Sequence, residues 1–218
     1  MMGIFTISVV VLVSFIQNTP EGQRWISQWK LYWRSIQVTL AFQKDPPLGE
    51  SFLPLSSLHP VNGIALPRIE KPLLIIVARG CEGCPGSSLR DWSQLMSAKT
   101  WQRALGTLLV IQDNASTVRA MATKFRWRIP VVADERGEIT RALNAFFTPR
   151  AYGFIGGKLV WIQKDLSLSP LATLKEFLRA TSGEEKVKRL LDDYVYELRE
   201  KAWGRKAAMA VKGAKGHE

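Results

Sequence analysis

Cysteine is scarce in this chain: only two stand among its 218 residues, Cys81 and Cys84. That excludes a disulfide framework, and any redox argument concerns one pair. Histidine is equally scarce, with His59 and His217 far apart in sequence and the second in a polar tail. A structural zinc site needs about four N, S or O ligands, so that class is excluded too. Internal repeats and low-complexity tracts are absent. Acidic residues are outnumbered, with 19 Asp and Glu against 30 Lys and Arg for a net charge of +11. This excess favours an anionic partner such as a phospholipid surface, nucleic acid or an acidic protein. Nucleic-acid binding would gather cations with aromatics on one platform or recognition helix. Most of the cations are scattered instead, and no nucleic-acid partner is expected.

What is present suits one medium domain with appendages, since 46% apolar residues and 10% aromatics can fill a core. Gly3 to Ile16 carries no charge and ends at Gln17-Asn18-Thr19-Pro20-Glu21. Counted from Met1, these 16 residues would span about 24 Å as a helix, against a hydrocarbon core of about 30 Å. No Lys or Arg precedes the run and no Ala-x-Ala follows it, so a cleaved signal peptide does not fit. Residues 1–17 are read as an uncleaved membrane anchor, with a buried strand as the alternative.

Residues 18–46 form the next segment. Trp25, Trp29 and Trp33 recur at helical spacing beside Arg24, Lys30 and Arg34, an aromatic stripe edged with positive charge. Such a helix suits a membrane interface, and it also suits packing on the domain by the same stripe. Asp45-Pro46-Pro47 ends it and marks a boundary.

From residue 47 to 182, strand and helix signals alternate. Leu73 to Ala78 and Leu108 to Gln112 are short apolar runs of the kind found in strands buried on both faces. Pro85 to Met96 and Ala115 to Phe125 suit helices, the second with Asp113 and Asn114 as N-cap candidates. Ala151 to Ile155 and Lys158 to Gln163 flank Gly156-Gly157, a dipeptide suited to a two-residue hairpin. A helix from Ser169 or Pro170 toward Ala180 follows, and Gly183 divides it from a charged helix over about Glu184 to Trp203. The order β-α-β-α-β-β-α predicts an α/β sandwich with a mixed sheet. Residues 183–218 end in six basic residues from Arg199 onward against two acidic ones. That tail reads as a solvated, irregular end, or else as a patch held to an anionic bilayer.

The chemistry lies after the first buried strand, where Arg79-Gly80-Cys81-Glu82-Gly83-Cys84 leads into a helix. A thiolate there meets the positive end of the helix dipole and free backbone N–H groups, which can depress its pKa from about 8.5 toward about 7. Cys81 is the candidate nucleophile and Cys84, one helical turn on, the candidate resolving thiol. Glu82 is either a proton-transfer group or an exposed acid favoured by the dipole. Arg79 either stabilises the thiolate or is a surface residue.

Strand, Cys-x-x-Cys, helix, and later Phe147-Thr148-Pro149 before a hairpin together resemble the thioredoxin superfamily. The likeness is greatest to its membrane-anchored redoxin branch, the TlpA/ResA/MauD-like thiol-disulfide oxidoreductases. It covers roughly Pro47 to Ala180, including Pro47-Leu-Gly-Glu-Ser-Phe-Leu-Pro54, and Glu82 matches the Cys-Glu-x-Cys of the ResA type. The resemblance implies an α/β thioredoxin-like sandwich with a central mixed β-sheet, an N-terminal membrane helix and a C-terminal charged helix. It implies disulfide exchange with protein substrates such as apocytochromes, an unidentified thiol donor, and no cofactor beyond the cysteine pair. By the same likeness Pro149 is a cis-proline facing the cysteines, and the backbone of Thr148 pairs with substrate. Three positions depart from the pattern: Gly80 replaces the usual tryptophan, Pro85 follows the second cysteine, and Ile75 stands where thioredoxin carries a buried acid. On this reading Glu82 is the only carboxylate near the motif.

Two other chemistries also use cysteines in such a fold. A thiol peroxidase would carry Thr three residues before its reactive cysteine, whereas positions 78 and 81 are Ala and Cys. A redoxin-like copper(I)-binding module suits soft thiolates, but such proteins usually add a histidine near the substrate-facing loop, and none lies between His59 and His217. The cations after the apolar run would keep the domain in the cytoplasm by the positive-inside rule. The resemblance implies an extracytoplasmic domain on a single-pass anchor, and that placement is the one expected.

Overall fold

The computed structural model describes residues 19–51, 57–68, 70–80 and 86–214. The expected anchor over residues 1–17, and Cys81, Glu82 and Cys84, lie outside them. The chain divides into two units, Met1–Asp45 and Pro46–Glu218.

In the first unit, helix α1 runs Pro20–Phe42. Thr19 starts it, its hydroxyl accepting from the Gly22 N–H at 3.1 Å, while Pro20 occupies the position where a missing N–H costs nothing. The turn over Gln43 to Asp45 and the two prolines after it end the helix. Trp25, Trp29, Tyr32, Trp33 and Leu40 are all exposed.

The second unit is built on five strands: β1 Leu73–Arg79, β2 Gly106–Gln112, β3 Val131–Ala133, β4 Arg150–Ile155 and β5 Lys158–Ile162. Their order is β3-β2-β1-β4-β5. β1, β2 and β3 are parallel, and β4 and β5 are antiparallel to their neighbours. Parallel pairing requires crossovers, which helices α2 (Gly86–Met96), α3 (Lys99–Ala104) and α4 (Ala115–Lys124) supply. The β4–β5 hairpin turns through Gly156 and Gly157 at φ 57° and 78°, the positive angles this tight turn requires.

β1 and β2 lie at the centre because their side chains are apolar on both faces. Alternation sends Leu74, Ile76 and Ala78 to one face, against Leu89 and Trp92 of α2, Trp101 of α3 and Val118 of α4. Leu174 and Phe177 of α6 (Pro170–Ser182) and Val187 of α7 (Glu184–Ala214) complete that core. Leu73, Ile75 and Val77 face the other way, toward Tyr152, Phe154 and Ile139 of α5 (Glu138–Ala142), with Leu58 and Leu66 packed on. Each such side chain contributes about 1.5–3 kcal/mol on burial.

The observed order adds β3, α3 and α5 to the sequence expectation. All three are too short to show a periodicity; β3 and α3 depend on hydrogen bonds from distant residues, and α5 on a nearby buried carboxylate. Buried Asp134 starts α5, its carboxylate accepting from the Ile139 N–H at 3.2 Å and from the Thr140 N–H and hydroxyl at 2.8 and 2.7 Å. Of the two N-cap candidates for α4, Asn114 serves, its Oδ1 accepting from the Thr117 N–H at 2.8 Å.

Helix α7 is 31 residues long and continues to Ala214. The helix expected to end near Trp203 thus runs on to Ala214, and the expectation of a solvated, irregular tail is corrected over that stretch. Its inner face packs Leu190, Leu191 and Tyr194 on the core, with the Tyr194 ring 5.1 Å from Trp101. Glu197 continues the contact: its carboxylate accepts from the Lys99 and Thr100 N–H groups, both at 3.0 Å, and from the Thr100 hydroxyl at 2.9 Å. Ala98, the N-cap of α3, has no side chain to do this.

The segment before β1 reaches both sides of the sheet. Ser51 bridges Lys158 of β5, and Pro60 bridges Val132 of β3. Among the described residues no helix is long and apolar enough to cross a membrane.

Candidate functional site

Three chain segments meet at the carboxyl end of β1. The first is β1 itself, whose last residue Arg79 pairs with Gln112 and whose follower Gly80 donates its N–H to the Gln112 carbonyl at 3.3 Å. Cys81 to Pro85 connect this point to the first residue of α2, Gly86.

The second segment begins at the end of β2. The parallel register carries Asp113 alongside Gly80, and the Asp113 side chain lies directly against the glycine. One oxygen, Oδ1, accepts from the Asn114 N–H at 2.7 Å and from its side-chain amide at 3.2 Å. The other, Oδ2, is the nearest atom to where a Gly80 Cβ would stand. Position 80 therefore has no room for the tryptophan that the resemblance implies there. A second carboxylate is thus close to the motif, which corrects the expectation that Glu82 is alone. Only the pairing of β1 with β2 brings Asp113 to this place, and nothing local in the sequence announces it.

The third segment precedes β4. Val77 pairs with Arg150 in antiparallel register, so Thr148 and Pro149 lie beside the carboxyl end of β1. The Thr148–Pro149 peptide bond is cis. Both residues are half-buried, as is Phe147, while Phe146 is exposed. Behind them, Arg150 is fully buried. Its Nε donates to the Gln163 carbonyl at 3.0 Å and its Nη1 to the Asn144 carbonyl at 3.3 Å, and the guanidinium lies 5.4 Å from the centre of the Tyr152 ring. Gln163 extends the network, its Oε1 accepting from the Ala151 N–H at 3.0 Å and its Nε2 donating to the Asp165 carbonyl at 2.8 Å. Asn144 begins the segment at φ 54°. A guanidinium with several fixed donors is suited to holding such a loop, because it satisfies carbonyls from two directions at once. This network was not foreseen from the sequence; an arginine directly after Thr-Pro at a strand start was its one visible sign.

A central β1 followed by the cysteine segment, with an antiparallel β4 introduced by a cis-proline, decides the architecture. The fold is thioredoxin-like. No family model matches the chain, and no curated protein matches it at a significant level. Among solved structures, the chain is similar to an uncharacterized conserved protein from Geobacillus kaustophilus, at 21% identity over 56% of this chain and 71% of that one, with a TM-score of 0.45. It is also similar to StoA from Bacillus subtilis, at 12% identity over 61% of this chain and 97% of that one, with a TM-score of 0.42. A secreted Mycobacterium tuberculosis disulfide oxidoreductase homologous to E. coli DsbE shares 13% identity over 52% of this chain and 82% of its own, with a TM-score of 0.40.

Within the thioredoxin-like domain, no three His, Cys, Asp or Glu side chains gather as metal ligands would, among the described residues.

Proposed function

We propose that this chain is a thiol-disulfide oxidoreductase acting through Cys81 and Cys84. The observation that carries the reading is the junction itself: a central strand ends at Arg79 and a helix begins at Gly86, with a cis-proline segment alongside. By sequence the cysteine pair falls between those ends, and the N–H groups and dipole of a helix start are features that favour a thiolate.

In the reaction, the Cys81 thiolate attacks one sulfur of a substrate disulfide. The substrate S–S bond breaks, its second cysteine leaves as a thiolate, and Cys81 is joined to the substrate in a mixed disulfide. Cys84, deprotonated in turn, attacks the Cys81 sulfur and expels the remaining substrate thiol. Two electrons have passed to the substrate, and the Cys81–Cys84 disulfide is reduced again by an external dithiol. Glu82, by its place between the cysteines, and Asp113, beside Gly80, are the candidates to accept the Cys84 proton. The backbone of Thr148 is the candidate for pairing with an extended substrate strand.

The test is reduction of insulin disulfides by the purified chain with dithiothreitol as donor, together with iodoacetamide labelling near neutral pH. Cys81→Ser abolishes turnover, and Cys84→Ser accumulates a mixed disulfide. A wild-type chain that reduces no disulfide would sink the proposal. Rapid alkylation of Cys84 with Cys81 inert would reverse the two roles.

A further inference from the structure

Helix α1 carries an exposed aromatic surface that thiol chemistry does not use. At about 100° per residue, Tyr32, Trp25, Trp29, Leu40 and Trp33 fall within one arc of about 100°. Each of the five is 47% exposed or more. The rings form one continuous patch. Trp29 is 5.8 Å from Trp25 and nearly parallel to it, 5.8 Å from Trp33 edge-on, and 6.0 Å from Tyr32. Arg24 and Lys30 are exposed and lie outside this arc. With Arg34, the helix holds three cations against the single carboxylate of Glu21.

We infer that α1 lies in the headgroup layer of an anionic phospholipid leaflet, its aromatic stripe toward the acyl chains. Three features point to lipid as the occupant. Indole and phenol rings join an apolar body to a polar N–H or O–H, and so settle where hydrocarbon meets water. The excess of cations on the remaining surface complements phosphate, each contributing about a fivefold gain in partition near a negatively charged leaflet. The uncharged run over Gly3–Ile16 directly precedes the helix in sequence, which suits a helix held at that depth. Polar residues recur along α1 at Gln23, Ser27, Gln28 and Lys30, so it lies in the interface and does not cross the bilayer. This inference is independent of the chemistry assigned to Cys81 and Cys84.

The experiment uses the full chain reconstituted into vesicles of phosphatidylcholine alone or mixed with phosphatidylglycerol. Because the apolar run can hold the chain to either vesicle, immersion of the stripe is measured rather than binding. The readout is quenching of tryptophan fluorescence by phospholipids brominated high on the acyl chain, compared with quenching by aqueous iodide. Bromolipid quenching is expected to rise with phosphatidylglycerol. That rise should disappear in Trp25→Ser/Trp29→Ser/Trp33→Ser, and Arg24→Gln/Lys30→Gln should shrink it severalfold. Two results overturn the inference. One is wild-type quenching equal to that of the tryptophan triple variant, with the stripe open to iodide. The other is a stripe shielded from both quenchers in a chain that migrates as a dimer, which would assign it to contact between copies.

Discussion

The Asp113 side chain fills the space in which a Cβ on Gly80 would stand, 2.7 Å from that position at its own Cβ and 2.8 Å at its Cγ. Both atoms sit near the backbone, so they cannot swing aside as the end of a long side chain would. Gly80→Ala therefore forces β1 and β2 apart at the mouth of the candidate site and should cost about 1–3 kcal/mol. Asp113→Gly in the same chain should restore much of this loss. A double-mutant cycle in urea would show the coupling, and simple additivity would refute the contact.

The same carboxylate bears on reactivity. A negative charge next to the residue preceding Cys81 disfavours its thiolate. Asp113→Asn should therefore lower the pKa of the Cys81 thiol and speed its alkylation severalfold near neutral pH. Slower alkylation would mean that Asp113 acts mainly as a proton acceptor for the pair. Absorbance of the thiolate against pH gives the reading directly.

Glu197 predicts an acid limb of stability. Burial pushes its carboxyl up, but bonds from Lys201, the Thr100 and Lys99 N–H groups and the Thr100 hydroxyl outweigh that and hold it at about 2, below the ordinary 4.5. Since the folded value lies below the unfolded one, its stabilisation is complete above about pH 4.5 and fades as pH falls toward 2. Part of the group faces water, so the contribution is about 1–2 kcal/mol. Glu197→Gln should lose this at pH 7 and show a shallower decline on acidification. Urea titrations across pH 2–7 of both proteins measure it.

Much of the fold was legible from residue patterns, and the limits have physical causes. The runs around Leu73 and Leu108 are apolar at every position, which only a strand covered on both faces tolerates, and Gly156-Gly157 could be read as a turn from its residues. Val131–Ala133 is three residues long, and its strand character comes from pairing with Leu109 to Ile111. α3 and α5 are likewise set by distant or buried carboxylates, Glu197 and Asp134. At the site, Pro149 could be marked by likeness to a known pattern. Asp113 and Arg150 could not, because their roles depend on which strand lies beside which.

Arg150 offers a further test. Arg150→Met keeps much of the volume but leaves the carbonyls of Asn144 and Gln163 without their buried donor, a loss of about 2–4 kcal/mol. Arg150→Lys restores charge without the fork and should recover only part of this. If Thr148 pairs with substrate, disulfide reduction should fall more steeply than stability alone explains, with KM affected before kcat.

Removing residues 1–45 should leave a folded domain, because among the described residues the core on both faces of the sheet is built from residues after Pro46. The shortened protein is expected to unfold cooperatively in urea and to keep insulin reductase activity. An aggregated or non-cooperative product would mean that the first unit completes the fold.

The bridges at Ser51 and Pro60 have a consequence for traffic around this molecule. An unpaired lateral strand is a template on which any extended polypeptide can polymerise. Here the chain's own lead-in occupies β5 on one side and β3 on the other, with a proline at the second. Unfolded clients of a disulfide-exchanging protein are rich in extended backbone, and a sheet with open sides would collect them indiscriminately. Strapped on both flanks, this sheet would leave clients of the proposed disulfide exchange to approach from the end where β1 stops.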